Sequence, residues 1–276
     1  MPVNTPTDIT KHIPKQKFNA LFLSDIHLGY KDCKADYLID FLQNNNAKTI
    51  YLIGDIIDLW SLKKQFHWPA SHNAVLSLLI EKSRTGTKVV YIPGNHDEDL
   101  KSYWGEKFND IEVCKRYEHT TAGGKKLLLL HGDDFDGEVC FSKLSAKLGD
   151  TLYDFLLFMN RHFNRIRRRF GYHYWSLAAH IKSKVPKAKE AISRYKNAAV
   201  KEAKKLGFNG IVCGHIHHPE IDCIDDIIYC NDGDWIESCT ALVETENGEL
   251  ELIHWCELTV KLALVNSSGQ LNKSAA

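Results

Sequence analysis

Five short polar segments punctuate this chain, and four of them sit directly at the end of an apolar run. They are Asp25-Ile26-His27, Gly54-Asp55-Ile56-Ile57-Asp58, Gly94-Asn95-His96-Asp97, His131-Gly132-Asp133 and Gly214-His215-Ile216-His217. The runs, at 18–24, 49–54, 88–92, 125–130 and 210–213, are short and apolar and read as buried strands. A helical spacing of leucine and isoleucine over 36–45, and a helix over 71–84, alternate with the early strands and predict βαβ units. Open α/β sheets carry their sites outside the carboxyl ends of strands. The chain is therefore constrained to a fold in which these strand ends meet.

What would meet there is a set of hard ligands. Carboxylates Asp25 and Asp55, the amide of Asn95, and imidazoles His27, His131, His215 and His217 make seven groups able to bind metal. A mixed nitrogen and oxygen set without thiolate suits manganese, iron or zinc better than magnesium or calcium, which favour oxygen alone. Manganese is the expectation. Seven donors are too many for one tetrahedral ion and enough for two divalent ions sharing one carboxylate. Two such ions about 3.5–4 Å apart lower the pKa of water and neutralise charge building on phosphoryl oxygens. Singly, each segment has a plainer reading: a histidine at a strand end is more often structural, and Gly54-Asp55 or Gly94-Asn95 alone fits a turn. Their joint occurrence argues for one site.

In order and spacing (D-x-H, G-D-x-x-D, G-N-H-D, H and G-H-x-H) the segments from Asp25 to His217 resemble those of the calcineurin-like metallophosphoesterase superfamily. The resemblance implies an α/β fold, a four-layer αββα sandwich with two mixed β-sheets. It implies that Asp25, His27 and His217 hold one metal, that Asn95, His131 and His215 hold the other, and that Asp55 bridges them. It also implies a catalytic role for His96, donating to the phosphate or the leaving oxygen and oriented by Asp97. A broad phosphodiesterase or a phosphoprotein phosphatase would share these motifs. A non-catalytic scaffold would be expected to lose ligands, and here all seven positions are filled.

Between His131 and His215 a long stretch carries no such motif, and 138–207 reads as a helical cap insertion. Apolar residues at 152–159 precede Arg161, Arg165, Arg167, Arg168 and Arg169, with Phe163, Phe170, Tyr172, Tyr174 and Trp175 nearby. A second, lysine-rich helix is predicted over 182–205. Three readings stay open. The apolar face packs on the main domain and the arginines are solvated. Or the cap is a lid for an amphiphilic anionic substrate, with Arg161, Arg165, Arg168 and Tyr172 as substrate-binding candidates. Or it rests on anionic lipid headgroups as a peripheral contact.

A core of this kind with such a cap resembles the UDP-2,3-diacylglucosamine pyrophosphatase branch, which cleaves the anhydride of a UDP-linked acylated sugar to a lipid monophosphate and UMP in lipid A synthesis. The resemblance implies a small anionic or lipid-linked phosphate substrate. His96 is a departure, because that branch carries Arg there, whereas His is the general superfamily pattern.

The chain of 276 residues suits one α/β domain or one domain with an insertion. Lysine plus arginine (35) equals aspartate plus glutamate (35), so no global basic field argues for nucleic acid, and none is expected as a partner. Eight cysteines, with no C-x-x-C pair, read as buried free thiols of a reducing compartment. Residues 1–17 form a polar extension without the apolar core of a secretion signal. No run of about 18 apolar residues suggests a membrane span. The expectation is a cytoplasmic protein, with contact at the inner face of the membrane open. The domain is expected over 18–265 and a disordered tail over 266–276.

Four short strands at 220–224, 227–231, 240–244 and 250–255, with turns at Asp232-Gly233 and Asn247-Gly248, predict an antiparallel second sheet. Asp58, Asp133 and Asp134 are candidate hydrogen-bond partners for the ligands.

Overall fold

Alternation along each strand decides the layers of this molecule. The structure is a computed structural model. It describes residues 15–108, 110–139 and 184–256, and between them 159–160, 162–164, 166–167, 169–170 and 176. The chain begins with β1 (Gln16–Leu23), α1 (Ala35–Asn44), β2 (Asn45–Ile53), α2 (Leu59–Lys64), α3 (Ala70–Arg84) and β3 (Lys88–Ile92). After a 3-10 turn at Glu98–Tyr103 come β4 (Lys107–Phe108), β5 (Ile111–Val113), β6 (Tyr117–Thr120) and β7 (Lys126–Leu129). A second 3-10 turn at Asp133–Phe135 leads into α4 (Asp136–Val139). Beyond the inserted segment lie α5 (Pro186–Lys205), β8 (Gly210–Cys213), β9 (Glu220–Ile224), β10 (Ile227–Asn231), β11 (Thr240–Glu244) and β12 (Leu250–His254).

One sheet has the order β12-β11-β1-β2-β3-β5-β4 and the other β6-β7-β8-β10-β9. In the first, β1, β2, β3 and β5 run parallel while β11 pairs antiparallel with β1. In the second, β7, β8 and β10 run parallel between antiparallel β6 and β9. Both sheets are mixed, as the family resemblance implies.

Side chains two apart share a face of a strand. Leu21, Leu23, Ile50, Leu52, Val89 and Tyr91 lie in one core, under α1 and α3. Their alternates Ala20, Phe22, Tyr51, Ile53, Val90 and Ile92 meet Leu127, Leu129 and Val212 in a second core between the sheets. On the far face Leu128, Ile211, Cys213 and Tyr229 pack in a third core with Tyr195, Ala199, Val200 and Ala203 of α5. Three cores between helices, sheet, sheet and helix make the αββα sandwich. In α1 the spacing of buried Leu38, Phe41 and Leu42 supplies the stripe that meets the sheet. Each such side chain contributes about 1.5–3 kcal/mol by leaving water. The helix ends where Asn45 turns extended and its Nδ2 donates to the Phe41 carbonyl at 2.8 Å.

Three expectations are corrected. β1 starts at Gln16, inside the stretch assigned to an extension, because Gln16 and Lys17 pair with Asn45 and Asn46. The four C-terminal strands do not form one sheet: β9 and β10 join the second sheet, while β11 and β12 extend the first from β1. The lysine-rich helix is not part of a cap, because α5 buries Tyr195, Ala199, Val200 and Ala203 against the second sheet. The expected tail 266–276 lies outside the described residues.

One buried histidine makes the fold acid-sensitive. His72 is 2 % exposed, and its Nδ1 accepts from the Gly29 amide at 3.0 Å, so the ring must be neutral. Burial, with the charge of His67, lowers its pKa from 6.5 to about 4. The unfolded chain therefore takes up this proton first as pH falls. The stabilisation is present above pH 6.5 and is lost on the way down to pH 4, about 3 kcal/mol in all. Urea midpoints of the metal-free protein at pH 7 and 4.5 check this. In His72→Asn, which keeps an acceptor for Gly29, the pH dependence should flatten.

Candidate metal centre

Loops leaving the carboxyl ends of β1, β2, β3, β7 and β8 meet on one rim and are stitched together across both sheets. Asp25 N donates to Gly54 O at 3.0 Å, His27 N to Asp55 O at 2.9 Å and Gly214 N to His131 O at 3.1 Å. The His215 amide reaches across to Asp25 Oδ2 at 2.8 Å. His131 Nδ1 lies 2.9 Å from Ile53 O. Asp25, His27, Asp55, His215 and His217 hold left-handed φ angles of 49°, 52°, 56°, 68° and 50°. Asp and His tolerate that region better than most residues, but each costs about 1 kcal/mol or more and persists only where the surroundings enforce it. Two motif glycines serve close approach. A Cβ on Gly94 would stand 2.3 Å from Asp55 Oδ1, and one on Gly214 would stand 2.4 Å from Asp25 Oδ2.

The donors form two groups, linked by a third of His27, Asp55 and His96. Asp25, His27 and His217 offer atoms within 4.8 Å of one another, and so do Asp55, His131 and His215. Asn95 Oδ1 lies 3.3 Å from His131 Nε2, beside the second group. Asp55 Oδ2 stands between the groups, 3.3 Å from His131 Nε2 and 3.9 Å from His27 Nε2. All seven expected donors are thus gathered in one place. Asp25 Oδ1 faces His217 Nε2 at 3.1 Å and His27 Nε2 at 3.7 Å, yet neither Asp25 Oδ1 nor His27 Nε2 makes a hydrogen bond. Buried polar atoms left so are costly unless something else binds them. Among the described residues no cysteine joins these groups. The mixed nitrogen and oxygen donors fit divalent ions of the manganese, iron and zinc type.

The charges fit as well. Burial acts to raise the Asp25 carboxyl, but His217 and His27 outweigh it and hold it well below the ordinary range. Asp55 is likewise lowered, against its own burial, by His131 and His27. Burial would lower His27, yet its contacts with Asp25 and Asp58 and the charge of Asp55 raise it to about 10. Near neutral pH the metal-free His27 therefore carries a proton that a metal must displace. Metal affinity is expected to rise about tenfold per pH unit for each proton displaced between pH 7 and 9. Titration of metal-free protein with Mn²⁺ across that range checks it, and an affinity flat with pH would contradict it.

The sequence profile of the calcineurin-like phosphoesterase family matches residues 18–219. The chain belongs to that family. The phosphoesterase is 22% identical over 244 residues to a UDP-2,3-diacylglucosamine hydrolase of Psychromonas ingrahamii, covering 84% of this chain and 96% of that protein. It is 24% identical over 252 residues to a protein of the same name from Haemophilus influenzae, covering 85% and 98%. Among solved structures it is similar to the hypothetical protein PH1004 of Pyrococcus horikoshii, at 11% identity and TM-score 0.45, covering 87% and 88%.

In this phosphoesterase His96 borders the centre more openly than the four histidine donors, with its side chain 26% exposed. Its ring meets His27 edge-on at 4.6 Å and lies 4.3 Å from the Trp60 ring. Its orienter is not Asp97. Asp97 is buried and accepts from the backbone of Gly94 at 2.6 Å and Ile56 at 2.8 Å and from the Tyr91 hydroxyl at 2.5 Å, tying the second and third motif loops together. The residue beside His96 is Asp58, whose Oδ1 lies 3.1 Å from His96 Nδ1 while its Oδ2 lies 3.1 Å from His27 Nδ1. Burial would raise Asp58, but contacts with His27 and His96 hold its pKa down, so it stays charged between the two rings.

Other residues at the centre escaped the sequence reading. Ser24 Oγ lies 2.6 Å from both Asp25 Oδ2 and Asp232 Oδ1. Tyr195 of α5 donates to Gly214 O at 3.2 Å, bracing the last motif from below. The Asn231–Trp235 turn also reaches the centre, with Asn231 Nδ2 donating to Gly214 O at 2.7 Å and Trp235 N to Asp25 O at 3.0 Å. Of the cap, Arg161, Arg165, Arg168 and Tyr172 lie outside the described residues. The described residues within 159–169 are helical and expose Met159 and Ile166, with Phe170 exposed just beyond. Ser176 donates to Glu237 on the loop that follows the Asn231–Trp235 turn.

Proposed function

We propose that this phosphoesterase hydrolyses a pyrophosphate or phosphodiester bond with two divalent ions, manganese being the working metal, and that its substrate is UDP-2,3-diacylglucosamine or a close analogue, releasing UMP. The observation that carries the reading is the convergence of seven nitrogen and oxygen donors around Asp55. Asp25, His27 and His217 would hold one ion, Asn95, His131 and His215 the other, and Asp55 both. Bound there, such ions polarise phosphoryl oxygens and activate water. His96 stands at the open side with Nδ1 3.1 Å from Asp58 Oδ1, and would donate from its other nitrogen to the phosphate or the leaving oxygen. Asp97 holds the two loops on which Asp55 and Asn95 are carried. The relatives of that name, matched over nearly their full length, support the substrate.

Among the described residues no helix is long and apolar enough to cross a membrane. A lipid-linked substrate would be reached by peripheral contact, for which exposed Ile166 and Phe170, beside Arg167 and Arg169, offer apolar and cationic groups. The cap arginines and Tyr172 are the proposed headgroup contacts. His96 itself favours a second reading, another small or lipid-linked phosphate ester, because the resembled branch carries Arg there.

Metal-free protein resupplied with Mn²⁺ and offered UDP-2,3-diacylglucosamine and bis-p-nitrophenyl phosphate side by side separates the readings. Fast UMP release with weak generic activity supports the first. Generic hydrolysis alone rejects that substrate and keeps the second. No hydrolysis of either in the metal-loaded protein contradicts both.

A further inference from the structure

The imidazoles of the centre are not all held the same way round. His27 Nδ1 lies 3.1 Å from Asp58 Oδ2 and His131 Nδ1 lies 2.9 Å from Ile53 O. A carboxylate or a carbonyl only accepts, so in the neutral rings both Nδ1 atoms carry the hydrogen and Nε2 keeps the lone pair. His215 is reversed: its Nε2 lies 2.7 Å from Asp136 Oδ1. There Nε2 carries the hydrogen and the lone pair is left on Nδ1; His215 offers one ring nitrogen to the group with Asp55 and His131. The rings of His131, at 5.1 Å, and Tyr195, at 6.2 Å, limit where the His215 ring sits. Neither decides which nitrogen is protonated.

We propose that Asp136 is a positioning residue for one of the two metals: it fixes His215 as the Nε2–H tautomer and so presents Nδ1 as a ligand. Asp136 opens α4, where the chain leaves the sandwich for the inserted segment. Its side chain is 54% exposed, so it acts through the single short contact and not through burial. Partners that orient a ligating histidine typically carry about 10–100-fold in metal affinity. The inference rests on the two-metal reading above and adds a residue outside the seven donors.

Calorimetric titration of the metal-free protein with Mn²⁺ tests it. Wild type is expected to take two ions. Asp136→Ala should take one with unchanged affinity and the other about 10–100-fold more weakly, and Asp136→Glu should recover part of the loss. The thermal midpoint of the metal-free variant should not move. Two ions bound by Asp136→Ala with wild-type affinity, or both weakened equally, overturn the proposal. A wild type that takes no ion overturns the two-metal reading with it. Long-range ¹H–¹⁵N spectra of the wild-type protein loaded with Zn²⁺ give a readout that needs no variant. A His215 ring protonated at Nε2 agrees, and one protonated at Nδ1 overturns the proposal.

Discussion

Asp55→Asn is expected to empty both halves of the metal centre while the fold survives. The substitution keeps the volume of the side chain and an oxygen to accept from the His96 amide, which Asp55 Oδ1 now does at 2.8 Å. It removes a negative charge that faces both His27 and His131. On the two-metal reading both ions would lose a ligand at once, whereas replacing any other donor would cost one ion its ligand. Lewis-acid stabilisation of a phosphoryl transition state is worth several kcal/mol, and each 1.36 kcal/mol is tenfold in rate. The rate on bis-p-nitrophenyl phosphate should therefore fall by about 10³-fold or more, and metal per chain after desalting should drop from two toward none. A variant that keeps two ions and a rate within about tenfold of wild type would refute the bridging role.

His96→Ala separates chemistry from metal binding. His96 presents its ring to the open side of the centre, with Asp58 3.1 Å from Nδ1 and the Trp60 ring 4.3 Å away. Loss of a positioned proton donor typically costs about 10²–10⁴-fold. The expected result is a fall in kcat of that order with metal content unchanged. A leaving group that needs no proton, such as p-nitrophenolate, should show a smaller fall than a sugar phosphate if the proton goes to the leaving oxygen. An equal fall for both assigns His96 to the phosphate instead. Full activity in the variant removes it from the mechanism.

The seven donors were legible because each follows a strand, and strand ends are marked by apolar runs that stop abruptly at a polar residue. The layers were legible for the same reason, since β2 and β3 are apolar on both faces and must be covered on both. The helix α5 was misassigned to a cap because its buried stripe is built from Ala199, Ala203 and Tyr195, which give a weak apolar signal among lysines. The destination of β11 and β12 depends on which edge of which sheet is open, and strand alternation carries no information on that. Asp97 was misread for a local reason: neighbouring side chains diverge, and His96 finds Asp58 on another loop. Asp136, Ser24 and Asp232 contact the centre only through tertiary structure, and no spacing in the chain announces them.

The distribution of the donors also bears on how the protein acquires its metal. Asp25 follows the first strand and His217 follows β8, and strands of both sheets lie between them along the chain. A chain emerging from the ribosome cannot assemble either half of the centre until the last of these has been made and the sheets have stacked. Five of the donor backbones are held in conformations that an unfolded chain rarely visits. On the two-metal reading, metal capture would therefore follow the stacking of the two sheets, and pulse-labelled chains chased in metal-free medium should fold before they acquire metal.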